Sequence, residues 1–173
     1  MITMFTSLIT IQENNMILKG EMQIITELEY ISNIMDDYLM DKIGYELPAG
    51  IEAFPNAISN EIWFNTKLDA GDETIYLVKI NTGSEDASLG YPLYMRIVDK
   101  PNIGPIYIAE PIEFICNDID GNVINAAALA TVAGRAGIRS IQIELVVYQG
   151  QYGADTMRAR NLVFRKYFPN LAI

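Results

Sequence analysis

Histidine is absent from this chain of 173 residues, and cysteine occurs once, at Cys116. The first absence removes the commonest general base, the commonest neutral metal ligand and every Ser–His or Cys–His dyad. The second excludes an internal disulfide and any cysteine-based zinc cluster. Basic residues are scarce too: twelve Lys and Arg stand against twenty-two Asp and Glu, a formal net charge of −10. So acidic a chain is repelled by nucleic acid phosphates and by anionic membrane faces, and neither is an expected partner. No run of eighteen apolar residues occurs, so the sequence as given contains no membrane-spanning helix by hydropathy and is expected to be soluble.

What the chain has in quantity is apolar surface to bury. Half of it is hydrophobic, which suffices for one full core with an extension. The charge is unevenly spread. Residues 1–134 hold six basic and twenty acidic residues, a net of −14; residues 135–173 hold six basic residues against Glu144 and Asp155, a net of +4. Two readings stand open: the basic end pairs with acidic neighbours inside its own fold, or the subunit is dipolar and stacks on copies or relatives of itself.

From about residue 2 to 43 the pattern is helical, with no proline before Pro48. Ile24, Leu28, Ile31, Met35 and Tyr38 step by four, three, four and three and form one stripe of an α-helix. The opening "MITMFTSLITIQENNMIL" continues the pattern, with Ile2, Phe5 and Ile9 on a shared face. Gly20 is a weak point, costing about 1 kcal/mol against alanine. Gly44, Pro48 and Gly50 supply a stop. A helix of roughly 40 residues far exceeds the globular mean of about 11–12. Its second half is expected to pack on a domain and its first half to project.

After Ala53 the texture changes to short strand-like runs separated by turn residues. "EIWFNTK" (61–67) and "TIYLVKI" (74–80) flank "LDAGDE" as a hairpin; "YPLYMRIVD" (91–99) and "GPIYIAEP" (104–111) follow. "IEFICNDIDGNVIN" (112–125) reads as two strands around an Asp-Gly turn. "AAALATVAGRAG" (126–137) reads as a loop or short helix, "IRSIQIELVVYQ" (138–149) as the strongest strand and "RARNLVFRKYF" (158–168) as a final one. The expected fold class is α+β: a long N-terminal α-helix (1–45) packed on antiparallel β-sheet, with 46–173 a β-rich globular head.

Three stretches in this order resemble one family. "IMDDYLMDKIGYELP" is similar to the close of the first helix in type IV pilin-like minor pilins of the PilW type and in J-type minor pseudopilins of type II secretion, Ile43-Gly44-Tyr45 standing where Ala-Gly-Tyr is common. "EPIEFICNDIDGNVI" resembles their paired strands, and "GIRSIQIELVV" followed by "RARNLVF" their late strand and terminal Arg-Asn. The resemblance spans about residues 16–165. It implies a pilin fold and an N-terminal membrane helix not contained in these residues, with Met1 an added start. It also implies a structural subunit that primes or caps a type IV pilus-like or type II secretion filament, at times with an adhesive partner. The implied partners are other pilin or pseudopilin subunits. The implied location is the bacterial inner membrane facing the periplasm, or a cell-surface filament. Phe5, Leu8, Ile9, Met16 and Ile17 would then pack helix on helix in the filament. The alternative from another class is an oligomeric binding or virion structural module whose helix forms a coiled coil.

Local chemistry is sparse. Asp118, Asp120 and Asn122 at alternate positions, with Gly121 between the last two, form either a hairpin turn or the start of a calcium loop. No distal acidic ligand follows until Glu144. Asp36 and Asp37 face different directions on a helix, and Asp69, Asp72 and Glu73 belong to a turn. No pattern brings two acids into one cleft, so no enzyme is expected. Cys116 shares a strand face with Phe114 and is expected as a small buried hydrophobe. The tyrosines invite a protein–protein surface, with Gly90-Tyr91-Pro92 and the loop from Tyr148 to Tyr152 the first places to look.

Overall fold

The computed structural model describes residues 19–35 (21, 23 and 27 excepted), 43–44, 47–67, 73–155, 157–168 and 171. Alternation of apolar and polar residues writes most of the fold. In β1 (Asn56–Ile58), β2 (Glu61–Thr66), β3 (Tyr76–Thr82), β4 (Tyr91–Ile97) and β5 (Ile103–Ile108), the chain makes a five-stranded antiparallel meander in sequential order. Ile62, Phe64 and Thr66 alternate inward along β2, as the two-residue period of a strand requires. The register keeps these inward residues opposite one another: Ile62 faces Ile80, Phe64 faces Val78, and Ile80 faces Met95. Trp63 and Lys79 pair on the other face, with the Lys79 ammonium 3.8 Å from the indole centroid.

A second antiparallel sheet holds β6 (Glu113–Asn117), β7 (Ser140–Gln149) and β8 (Arg158–Tyr167), with β7 central. Ile141, Ile143, Leu145 and Val147 of β7 are all buried, and Cys116 and Phe114 lie opposite Ile141 and Ile143. Cys116 is thus the small buried hydrophobe expected, and burial pushes its thiol up to about 12. Two backbone bonds join the sheets: Ala109 N–H donates to the Val146 carbonyl (2.7 Å) and Phe114 N–H to the Ser59 carbonyl (2.7 Å). Between β6 and β7 lie two short helices, α2 (Ala126–Leu129) and α3 (Val132–Ala136). Asn125 and Thr131 cap them, their side-chain oxygens accepting from Ala128 N–H and Gly134 N–H.

The α+β expectation of a long N-terminal helix packed on antiparallel sheet is corrected. Of the described residues 44% are in strand and only 18% helical, the helices being short; the protein is mostly antiparallel β. Helical residues within 19–33, ending in two π-helical residues at 34–35, form the described N-terminal helix (α1). Its stripe exists: Ile24, Ile31 and Met35 are buried and Leu28 half-buried. The stripe, however, adds only a few side chains to a core that the inward faces of eight strands supply, so strands set the architecture. At the expected end of the rod Ile43 is not helical but bridges Thr66; residues 36–42, Tyr38 among them, with Phe5, Leu8, Ile9, Met16 and Ile17, lie outside the described residues. The two strands expected across 112–125 also reduce to one: β6 ends at Asn117, and only a single bridge pairs Asn117 with Val123.

Arg135 on α3 ties the helices to the segment before β1. Its Nε donates to the Phe54 carbonyl (2.8 Å), one terminal nitrogen to the Leu129 carbonyl (3.1 Å) and the other to the Glu52 carboxylate (3.0 Å). Two of the bonds hold the segment at residues 52–54 and the third holds the end of α2, so Arg135→Met strips three acceptors at once. It is expected to lower unfolding free energy by roughly 1.5–3 kcal/mol, read as a shifted midpoint in urea denaturation with unchanged slope.

Candidate functional site

Two loops flagged by their tyrosines meet in space. The loop between β3 and β4 is pinned on itself: Asp86 Oδ1 accepts from Ser88 N–H (2.8 Å), Ser88 Oγ (2.7 Å) and Leu89 N–H (3.1 Å). The Ser88 hydroxyl, then the backbone amides, hold the Asp86 carboxyl below its ordinary value. Gly90 closes this loop at φ +81°, where a Cβ would lie 2.6 Å from the Ile108 carbonyl and 2.8 Å from the Tyr152 ring. Only glycine combines that backbone conformation with so close an approach.

Glu85 joins the loops. One carboxylate oxygen accepts from the Tyr152 hydroxyl (2.8 Å) and the other from the Tyr91 hydroxyl (3.1 Å). Tyr148 donates to the Leu89 carbonyl (2.6 Å) and meets the Tyr152 ring edge-on at 5.4 Å. Deprotonating either phenol would break a bond to Glu85 and set a phenolate beside a carboxylate. The hydrogen bond to Glu85 therefore raises both, Tyr152 to about 12. At neutral pH these hydroxyls are donors, neither nucleophiles nor bases. The cluster fastens and presents aromatic surface.

That surface continues. A groove of about 500 Å³ runs beside Tyr148, lined by Ile24 and Tyr30 of α1, Ile106 and Tyr107 of β5, and Gly150. Tyr30 is 56% exposed, and Met22 (68%) and Ile25 (54%) add apolar area on the side of α1 away from its buried stripe. A second groove of about 550 Å³ lies by Pro48, Ile51, Arg135 and Arg139, where Arg135 is already engaged by Glu52.

The other sequence candidates resolve as follows. Asp118 Oδ1 accepts from Asp120 N–H (3.0 Å) and Asn122 N–H (2.8 Å), and Oδ2 from the Asn122 side-chain amide (3.3 Å). The backbone amide of Asn122 chiefly holds the Asp118 carboxyl below its usual range. Its lone pairs thus close a hairpin-type turn, which Asp120 enters through its backbone and Asn122 through both its backbone and its side-chain amide. Among the described residues no three acidic, cysteine or histidine side chains converge as a metal site. Asp36, Asp37, Asp69 and Asp72 lie outside the described residues. What sequence reasoning missed is Glu85: nothing local marks a carboxylate sixty-seven positions from Tyr152 as its partner.

Comparison with known proteins gives no match, whether to a family model, a curated protein or a solved structure.

A phenol raised in the folded state stabilises fully below its unfolded value and ceases to as pH rises through the folded one. The two-loop fastening is therefore expected to hold to about pH 10 and to fail as pH rises toward about 12. Glu85→Gln should return the Tyr152 titration toward about 10, followed by phenolate absorbance; a titration unmoved by the substitution would show that Glu85 does not govern it.

Proposed function

We propose that this chain is a structural subunit, not an enzyme, which acts by packing against other chains. More specifically, it is a minor pilin or pseudopilin that primes or caps a type IV pilus-like or type II secretion filament. The observation that carries the reading is α1's double allegiance. Ile24, Ile31 and Met35 are spent on the protein's own core, while Met22, Ile25 and Tyr30 stand exposed on another side. An apolar helix side left in water gains by meeting a neighbour, and aromatic residues such as Tyr30 and Tyr107 beside it suit a protein interface. The resemblance of "IMDDYLMDKIGYELP" and the late Ile-Arg and Arg-Asn elements supplies the family; Phe5, Leu8, Ile9, Met16 and Ile17 extend the same packing role toward the N-terminus. Other pilin or pseudopilin subunits are the partners. The location is the inner membrane facing the periplasm, or a surface filament. No described helix is long and apolar enough to cross a membrane, so the link to the bilayer would run through the N-terminal helix that the resemblance implies.

One observation favours the second reading, an oligomeric binding or virion structural module: the described residues are mostly antiparallel sheet.

A photo-crosslinking residue at the exposed position 29 separates them. In cells assembling such filaments it is expected to capture other subunits of the filament, and Ile25→Glu is expected to reduce capture about tenfold or more. That follows from the ~1.5–3 kcal/mol of burying an isoleucine side chain. Adducts only between copies of this chain, equally strong with purified protein, would favour the oligomeric module. No adducts in either setting would overturn both.

A further inference from the structure

We propose that the outer edge of β8 is a docking site for an acidic segment of another protein chain, bound in extended conformation as a fourth strand of the sheet. β8 pairs with β7 over ten consecutive residues without a register shift, from Gln149 opposite Arg158 to Ser140 opposite Tyr167. Phe168 N–H donates to the Arg139 carbonyl, which fixes the phase of the ladder. Alternate residues back from Phe168, namely Lys166, Phe164, Leu162, Arg160 and Arg158, turn their backbone groups toward β7. Ala159, Asn161, Val163, Arg165 and Tyr167 therefore turn theirs outward, and no described strand lies beyond them.

Among the described residues the other edges are defended and this one is not. β1 is three residues long. β5 contains Gly104 and Pro105 and is broken by a bulge against β4. β6 receives the Ser59 carbonyl at Phe114. β8 is long, regular and free of proline, the features of an edge able to template another strand.

Charge selects the occupant. β8 has no acidic residue, and its exposed Arg158 and Arg165 place positive charge on both of its faces, in a chain whose net charge is −10. Pairing β8 with β8 of a second copy would set these cations against one another, so a symmetric dimer at this edge is disfavoured. An acidic strand is drawn in. The exposed side of β8 also offers Val163 (50% exposed) and Tyr167 (64%) among Asn161 and Arg165. The incoming strand is thus one that alternates aliphatic and acidic residues. This edge is distinct from the exposed side of α1, and the inference does not depend on the filament reading.

The test uses the full chain and a fluorescent ten-residue peptide of alternating Glu and Val, with a Lys/Val peptide as control. The acidic peptide is expected to bind at least tenfold tighter than the basic one and to weaken between 50 and 200 mM salt. On binding, amide hydrogen exchange should slow about tenfold or more at Asn161, Val163 and Arg165. These amides should exchange readily in the free chain, unlike those of Leu162 and Phe164. Val163→Pro removes one outward N–H and none of the bonds to β7, and is expected to abolish binding. Should that variant fail to fold, a Glu/Val peptide N-methylated at alternate residues asks the same question with native protein, and is expected not to bind. Four results would each overturn the proposal: outward amides already protected in the free chain, binding without their protection, equal binding of the Lys/Val peptide, or self-association through β8.

Discussion

Strand β7 is where the molecule's constraints converge. It is central in the second sheet, its inward residues Ile141, Ile143, Leu145 and Val147 are all nearly inaccessible, and its Val146 carbonyl accepts the amide of Ala109 just beyond the first sheet. A strand that must bury every second residue and hydrogen-bond on both edges has its register fixed, because a slip by one residue would turn four aliphatic side chains to water. Once β7 is fixed, β6 aligns Cys116 and Phe114 on the core, and β8 is laid down along its whole length with its far edge facing out. The end of β7 and the connection after it then bring Tyr148 and Tyr152 to the end of the sheet, beside the β3–β4 loop.

At that end the fold uses polar chemistry for what the core does by burial. Glu85 receives two phenols, from Tyr91 at the start of β4 and Tyr152 in the β7–β8 loop, and Gly90 permits the approach by having no side chain where Tyr152 packs. None of these groups is poised to react, and the same holds of the Asp118 turn, whose carboxylate is used by its own loop. The surface presents aromatic edges and a groove beside α1 at one place and a regular strand edge with basic residues at another.

The strands were largely legible. "EIWFNTK", "YPLYMRIVD" and "IRSIQIELVVYQ" declare β2, β4 and β7 through alternation alone, since period two is a property of the strand itself. β1 was not, because three residues cannot display a period. The helix was overextended as an architectural element. A stripe at Ile24, Ile31 and Met35 tells which side is buried, but periodicity cannot weigh that stripe against the apolar area of two sheets. The Asp-Gly turn at 120–121 was legible, whereas its second strand was not realised beyond one bridge at Val123. The tyrosine loops could be named, but not Glu85, whose role exists only once chain segments far apart in sequence lie side by side.

By itself, then, the sequence settled that these residues hold no histidine and a single cysteine, where most of the strands lie and that Cys116 is buried, since these follow from residue type and short-range pattern. Only the tertiary structure decided that sheets outweigh the helix, that two tyrosines share one carboxylate, and that no described strand covers the outer edge of β8. Each of these is a relation between distant segments, set by which surfaces remain once the core has closed.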